Sequence, residues 1–211
     1  PWAVAAGANT GQNYQPGALT LTTYYKRVTI STLNGTVCRD TSNCVTITID
    51  NVTAGTISSD QTICNATAPA LLTGGTGSGS GVLTYLWLSN TTGCNGPWAV
   101  AAGANTGQNY QAGTLTVNTY YKRVTISTLN GTICRDTSNC VTITIDNVTA
   151  GTISANQTIC NATAPALLTG GTGSGSGVLT YQWLRTPTGC NGPWAVAAGA
   201  NTGQNYQAGT L

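Results

Sequence analysis

The stretch Pro-Trp-Ala-Val-Ala-Ala-Gly-Ala-Asn-Thr-Gly-Gln-Asn-Tyr opens the sequence at Pro1 and returns unchanged at Pro97 and Pro193, a period of 96 residues. Everything between keeps that register: Cys38 recurs as Cys134, Cys64 as Cys160, Cys94 as Cys190 and Trp87 as Trp183. Aligned on the period, residues 1–115 differ from residues 97–211 at 11 of 115 positions. Near-identity at a fixed spacing means that whatever one repeat folds into, its neighbours fold into as well. A period this long exceeds a solenoid turn and matches one small domain. The expected division is 1–52, the C-terminal half of a repeat; 53–148, a complete repeat; and 149–211, the N-terminal part of the next. The chain reads as a window on a longer array, so a leader, tip or anchor would lie outside it.

Within the complete repeat, helical periodicity is missing, whereas β-branched alternation punctuated by Gly, Asn and Pro is everywhere. Ala54–Ser58 and Pro69–Thr73 read as strands, followed by the glycine-dense stretch Gly74–Gly81, read as a flexible loop. That stretch lacks the Lys and following helix of a phosphate cradle. Val82–Leu88 reads as the central strand. Because Leu86 is replaced by Gln182 in the next copy, position 86 is expected at a wet margin. The period of two then turns Tyr85 and Trp87 inward, making Trp87, and by repetition Trp183, the core anchor. Thr119–Ser127 is a further strand. Placing Val124 and Ile126 inward aims Lys122 at the core, which demands a bulge or a snorkelling lysine. Cys140–Ile145 closes the repeat with Val141, Ile143 and Ile145 inward. About seven short strands with a Trp on the third describe an immunoglobulin-like sandwich. The join Ile145–Gly151 is too short for slack, so the sandwiches are expected end to end as a stiff rod.

Charged residues are 6 % of the chain, and His, Glu, Met and Phe are absent. The seven cations are dispersed, which does not support a nucleic-acid footprint. No apolar run approaches the ~20 residues of a membrane helix. Eight cysteines, four per repeat, include no CxxC pair and have no His as co-ligand, so disulfides in an oxidising, extracellular setting are expected in place of zinc. The candidates are Cys38, Cys44, Cys64, Cys94, Cys134, Cys140, Cys160 and Cys190. Cys134 and Cys140 flank a five-residue tip between the last two strands, while Cys64 and Cys94 fall at the opposite end of the sandwich. Those positions predict Cys134–Cys140 and Cys64–Cys94. The rival is a cross-link in which Cys64 bonds a tip cysteine of the following repeat.

Catalysis has little support: Asp40, Asp50, Asp60, Asp136 and Asp146 are the only carboxylates, and a cysteine nucleophile has no imidazole beside it. No catalytic, cofactor-binding or metal site is therefore expected. Calcium at the joints through Asp146 and Asp60 is the one metal reading to weigh, and Asn156 in place of Asp60 in the next copy counts against it. Eight Asn-x-Ser/Thr sequons, from Asn34 to Asn161, follow from a chain this rich in threonine. Trp98 and Tyr110 are aromatics that could stack on sugars.

The sequence elements Gly-Thr-Ile-x5-Ile-Cys, Pro-Ala-x-Leu, Tyr-x-Trp, Thr-Tyr-Tyr-x-Arg-Val and the downstream Ser-Asn resemble a repeat family over the whole of residues 1–211. It is the immunoglobulin-like or PKD-like tandem repeat of giant Bacteroidota cell-surface adhesins, including gliding adhesins. The resemblance implies export, commonly by the type 9 route, and a stalk role in adhesion or gliding motility at the cell surface. Cysteines at positions like Cys64 and Cys134 belong to the family pattern, whereas Cys94 and Cys140 are additions to it. The function expected is a non-enzymatic structural stalk whose partners are neighbouring repeats of the same chain, with surface polysaccharide or other surface proteins beyond them. The alternative is a multivalent carbohydrate-binding array.

Overall fold

The computed structural model describes residues 2–209, and every regular element among them is a β-strand. No helix there is long and apolar enough to cross a membrane. In chain order the strands are β1 (Thr23–Tyr25), β2 (Val28–Leu33), β3 (Thr36–Thr41), β4 (Val45–Ile47), β5 (Gln61–Cys64) and β6 (Val82–Asn90). They continue with β7 (Ala99–Val100), β8 (Thr119–Leu129), β9 (Thr132–Thr137), β10 (Val141–Asp146), β11 (Leu184–Arg185) and β12 (Ala195–Val196). The second repeat carries the largest sheet, ordered β5-β10-β8-β6-β7, with β9 also paired to β8. Its one parallel pair joins β10 to β5, setting Asp146 opposite Cys64. Smaller sheets, β1-β4 and β2-β3 in the first repeat and β11-β12 in the third, are built from the same segments shifted by the period.

A second layer lies over the inner face of this sheet, its segments joined to one another by single bridges. Thr53 pairs with Ser78, Ile57 with Gly74 and Leu72 with Tyr110, all antiparallel. The segments expected as strands at Ala54–Ser58 and Pro69–Thr73 are this layer, held by single bridges. The regular strand nearby is β5, which the sequence reading passed over.

The two layers enclose Ile57, Leu72, Trp87, Ala101, Tyr110, Ala112, Tyr121, Val141, Ile143 and Ile145. Trp87 is fully buried on β6, stacks on Tyr110 with centroids 5.5 Å apart, and donates its indole N–H to the carbonyl of Gly107 at 2.9 Å. Trp183 repeats the same stack on Tyr206 at 5.6 Å. Leu86 lies on the outer face, half-buried.

On β8 the alternation runs opposite to the expectation. Thr119, Tyr121, Arg123, Thr125 and Ser127 are buried, while Lys122, Val124 and Ile126 face outward and are half-buried. Lys122 therefore needs no snorkelling. The reason lies across the core, where Gly74–Gly81 is not a free loop but a segment pressed against β8. A side chain at Gly77 would stand 2.7 Å from the Thr125 methyl, and one at Gly79 2.8 Å from the Ser127 hydroxyl. The glycines bring the second layer close enough that only small polar side chains fit beneath it. Thr125 donates to the carbonyl of Ala54 at 2.9 Å, and the Ser127 hydroxyl accepts the Gly81 N–H at 3.0 Å.

Candidate functional site: a buried arginine, a bulged disulfide and the joint between repeats

Arg123 sits at the boundary between the apolar and the polar half of this core, with no accessible surface. All partners of its guanidinium are main-chain carbonyls. Nη1 donates to Gln108 at 2.8 Å, and Nη2 to Ala54 at 2.7 Å and to Gly75. The Tyr85 ring lies 4.4 Å from the guanidinium carbon, so the cation is stacked as well as hydrogen-bonded. Nε is left without a partner. Burial lowers the Arg123 pKa and the nearby Tyr85 raises it, the first effect being the larger. Gly74 is obligatory here, because a side chain would overlap the Arg123 fork. The first repeat starts the same construction, with Arg27 Nη1 donating to Gln12 at 3.1 Å. Sequence reasoning missed this residue because a Lys-Arg doublet on a strand reads as a solvated face. The available signal was the run Tyr121, Arg123, Thr125, Ser127 at a period of two, opposite a glycine-rich segment.

The edge of β8 beyond Arg123 is bulged. Val124 faces Thr137, yet Tyr121 faces Val141, so the outer strand spends four residues where β8 spends three. Ser138 holds the bulge by accepting the Arg123 N–H on its hydroxyl and donating its own N–H to the Arg123 carbonyl, both at 3.0 Å. In the first repeat Ser42 and Arg27 make the same two contacts at 2.9 Å. The extra residue re-aims two side chains. Asn139 accepts the Ile57 N–H at 2.8 Å and ties the second layer down. Cys140 turns to Cys94.

The disulfide is Cys94–Cys140, with Cα atoms 5.8 Å apart, and neither expected pair forms. Cys134 is not at the base of a tip shared with Cys140. It lies within β9, opposite Ser127, in a hairpin whose turn is Asn130-Gly131. Asn130 and Gly131 take positive φ of 49° and 81°, the geometry that an Asn-Gly two-residue turn favours. That dipeptide was the readable signal for the hairpin, and it moves Cys134 and Cys140 to opposite sides of the bulge. Cys64, at the end of β5, is free and exposed, and Cys134 is free and half-buried. Cys38, Cys44, Cys160 and Cys190 are also free and exposed. Of these, Cys44 and Cys190 are the period counterparts of Cys140 and Cys94.

The joint between repeats is a pair of equal contacts. Asp50 Oδ1 accepts the N–H of Ser80, and Asp146 Oδ1 that of Ser176, each at 2.7 Å. The segment leaving each of these repeats thus carries a carboxylate that holds the glycine segment of the next. Asp60 lies elsewhere, accepting the Thr142 N–H at 2.8 Å near the start of β10. It stands opposite the other end of β10 from Asp146, so these two carboxylates do not converge as a calcium site would require. Among the described residues no cluster of three or more His, Cys, Asp or Glu side chains forms.

Of the two aromatics considered for sugar stacking, Tyr110 is core: it is buried and donates its hydroxyl to the Ala102 carbonyl at 2.8 Å. Burial raises its pKa, and burial together with Tyr110 pushes that of Tyr121 up to about 12. Trp98 is half-buried, with Lys122 Nζ 4.9 Å from its ring centroid, and Lys26 sits at 5.2 Å over Trp2 in the same way.

These features define an all-β repeat chain in which the core of the complete repeat is closed by the buried Arg123 and the two joints by Asp50 and Asp146. The family described as Domain of unknown function (DUF8696) matches residues 1–51, 53–147 and 149–211, and the chain belongs to that family. No curated protein matches the chain.

Proposed function

We infer that this chain is a length of structural stalk in an extracellular, cell-surface adhesin or filament, built of immunoglobulin-like (PKD-like) sandwiches end to end. The observation that carries the reading is the joint. Asp50–Ser80 and Asp146–Ser176 repeat the same hydrogen bond across the same 30-residue spacing at 2.7 Å. A string of domains that needed free hinges would have no use for a specific contact reproduced at each junction. The sandwich reading is supported by Trp87 in the centre of the core, the parallel β5–β10 edge and the single-bridge layer opposite. The divisions expected are those of the sequence, 1–52, 53–148 and 149–211.

The mechanism is mechanical. Cys94–Cys140 closes a loop of 46 residues from the β6 side to the last strand, so tension applied at the two ends of a repeat cannot extend the chain between them. In the chain-entropy picture a loop of that length contributes about 4 kcal/mol. The buried arginine and bulge then hold β8 against the second layer. Adhesion or gliding as the setting, and type 9 export as the route, rest on the family resemblance of the repeat sequence. Against the rival carbohydrate array stand Lys122 over one face of Trp98 and the burial of Tyr110.

Small-angle scattering and electron micrographs of the full-length protein test the reading. The expected result is a rod with one repeated step per 96-residue period. A compact particle, or beads with no preferred angle at Asp146–Gly151, would remove the stalk reading.

A further inference from the structure

We propose that Cys64 of each repeat forms a disulfide with the counterpart of Cys134 in the repeat that follows, making every joint of the array covalent. The proposal rests on the end-to-end reading above and extends it from a hydrogen-bonded joint to a cross-linked one.

The first step is elimination by the observed bond. Cys94 and Cys140 satisfy one another, leaving Cys64 and Cys134 as the two unpaired thiols of the complete repeat. They cannot satisfy each other. Cys64 stands opposite Asp146 at the end of β10, and Cys134 stands opposite Ser127 toward the far end of β8. β10 and β8 are joined through Ile143 and Thr119. The path from Ser127 to Thr119 and on from Ile143 to Asp146 is eleven residues of strand, about 36 Å at ~3.3 Å per residue. A disulfide needs Cα atoms within ~7 Å. The two thiols therefore belong to opposite ends of one repeat.

The second step is what each end meets. Cys64 is one strand away from Asp146, the residue that accepts the Ser176 N–H of the next repeat. At the preceding joint, Cys134 lines a groove together with Leu129, Asn130 and Thr132 from its own hairpin. The opposite wall is Thr46, Thr48, Ile49 and Asp50 of the repeat before. Asp50 is the period counterpart of Asp146. Carried over by the period, the pairing of Asp146 with Cys64 would set the first repeat's β5 cysteine one strand spacing, about 4.8 Å, from the groove wall. Cys134 lies at this groove at the first joint and Cys64 lies beside Asp146 at the second, so the period brings the two together at a joint between complete repeats.

Forming the bond removes one hydrogen from each thiol. The two electrons and two protons pass to the disulfide of a thiol–disulfide oxidant, which leaves as a dithiol. The thiol of Cys64 is exposed and that of Cys134 half-buried, so the first attack on the oxidant falls to Cys64 and the resolving attack to Cys134.

The test is peptide mapping of the full-length protein, with thiols alkylated before unfolding. Trypsin isolates the hairpin cysteine on the segment Val124–Arg135, and cleavage before aspartates and after aromatics separates Cys64 from Cys44 and Cys94. The expected result is that Val124–Arg135 is recovered without alkylation, linked to the Gln61–Cys64 segment, in material that runs as a single chain without reductant. In a chain carrying Cys64→Ser in every repeat, the hairpin segment should be recovered fully alkylated while Cys94–Cys140 persists. Recovery of the wild-type hairpin segment as a free thiol, linked to Cys140, or linked between chains would overturn the proposal. A rod in micrographs with free hairpin thiols would sink the cross-link alone, whereas a compact particle would sink the end-to-end reading beneath it.

Discussion

Replacing Arg123 with methionine asks whether a buried cation with no carboxylate partner stabilises its repeat. Buried ion pairs replaced by apolar residues are often neutral or even stabilising, because the desolvation cost of both charges is relieved. The outcome here should differ, since the partners are carbonyls that cannot be removed with the arginine. Methionine fills part of the volume and relieves the unpartnered Nε. It leaves the carbonyls of Gly75 and Gln108 facing an apolar side chain, whereas Ala54 keeps the Thr125 hydroxyl. Two orphaned carbonyls cost about 1–3 kcal/mol each. Loss of the stack on Tyr85 adds up to about 2 kcal/mol, and relief of guanidinium burial returns a comparable amount. The net expectation is destabilisation of about 2–5 kcal/mol. That is a large share of the ~5–14 kcal/mol available to a domain of this size. Urea unfolding of the second repeat should show its midpoint fall by about 1–2 M. Arg135→Met, at an exposed position on β9, is the control and should cost less than ~0.5 kcal/mol. Arg123→Lys should fall between the two, because one ammonium cannot span three carbonyls. Equal costs for Arg123→Met and Arg135→Met, or a gain in stability for the former, would refute the argument that the arginine organises the core.

Trp87→Ala should cost about 3–5 kcal/mol in thermal melts, against less than ~1 kcal/mol for Leu86→Gln, an exchange the chain makes itself at Gln182. Equal costs would mean that the inward and outward faces of β6 are wrongly assigned. Tyr121 should make the fold sensitive to alkali. Its pKa is raised from 10.0 to about 12 on folding, so its stabilising contribution is complete below pH 10 and is lost as pH climbs through 12. Tyr121→Phe should flatten the stability profile across that window, followed by tyrosinate absorbance. An unchanged profile would count against burial as the cause.

Alternation and repetition alone determined the all-β character, the inward set Trp87, Val141, Ile143 and Ile145, and the recurrence of contacts such as the Trp87–Tyr110 stack at Trp183–Tyr206. Those features are local: a period of two needs only neighbouring residues, and a repeat needs only comparison of the chain with itself. The face of β8 was decided otherwise. Val124 and Ile126 are the more apolar set, so hydrophobicity pointed them inward. The structure turns Arg123, Thr125 and Ser127 in because Gly74–Gly81, some fifty residues earlier in the chain, leaves no room for larger side chains there. The disulfide has the same origin. Spacing placed Cys134 beside Cys140, but a bulge at Ser138–Cys140 turned the second cysteine toward Cys94, 46 residues away in sequence. Close approach of two layers and a one-residue slip in a ladder are properties of how distant segments meet. Only the tertiary structure could supply them, because the free energy of each arises between segments that the sequence holds apart.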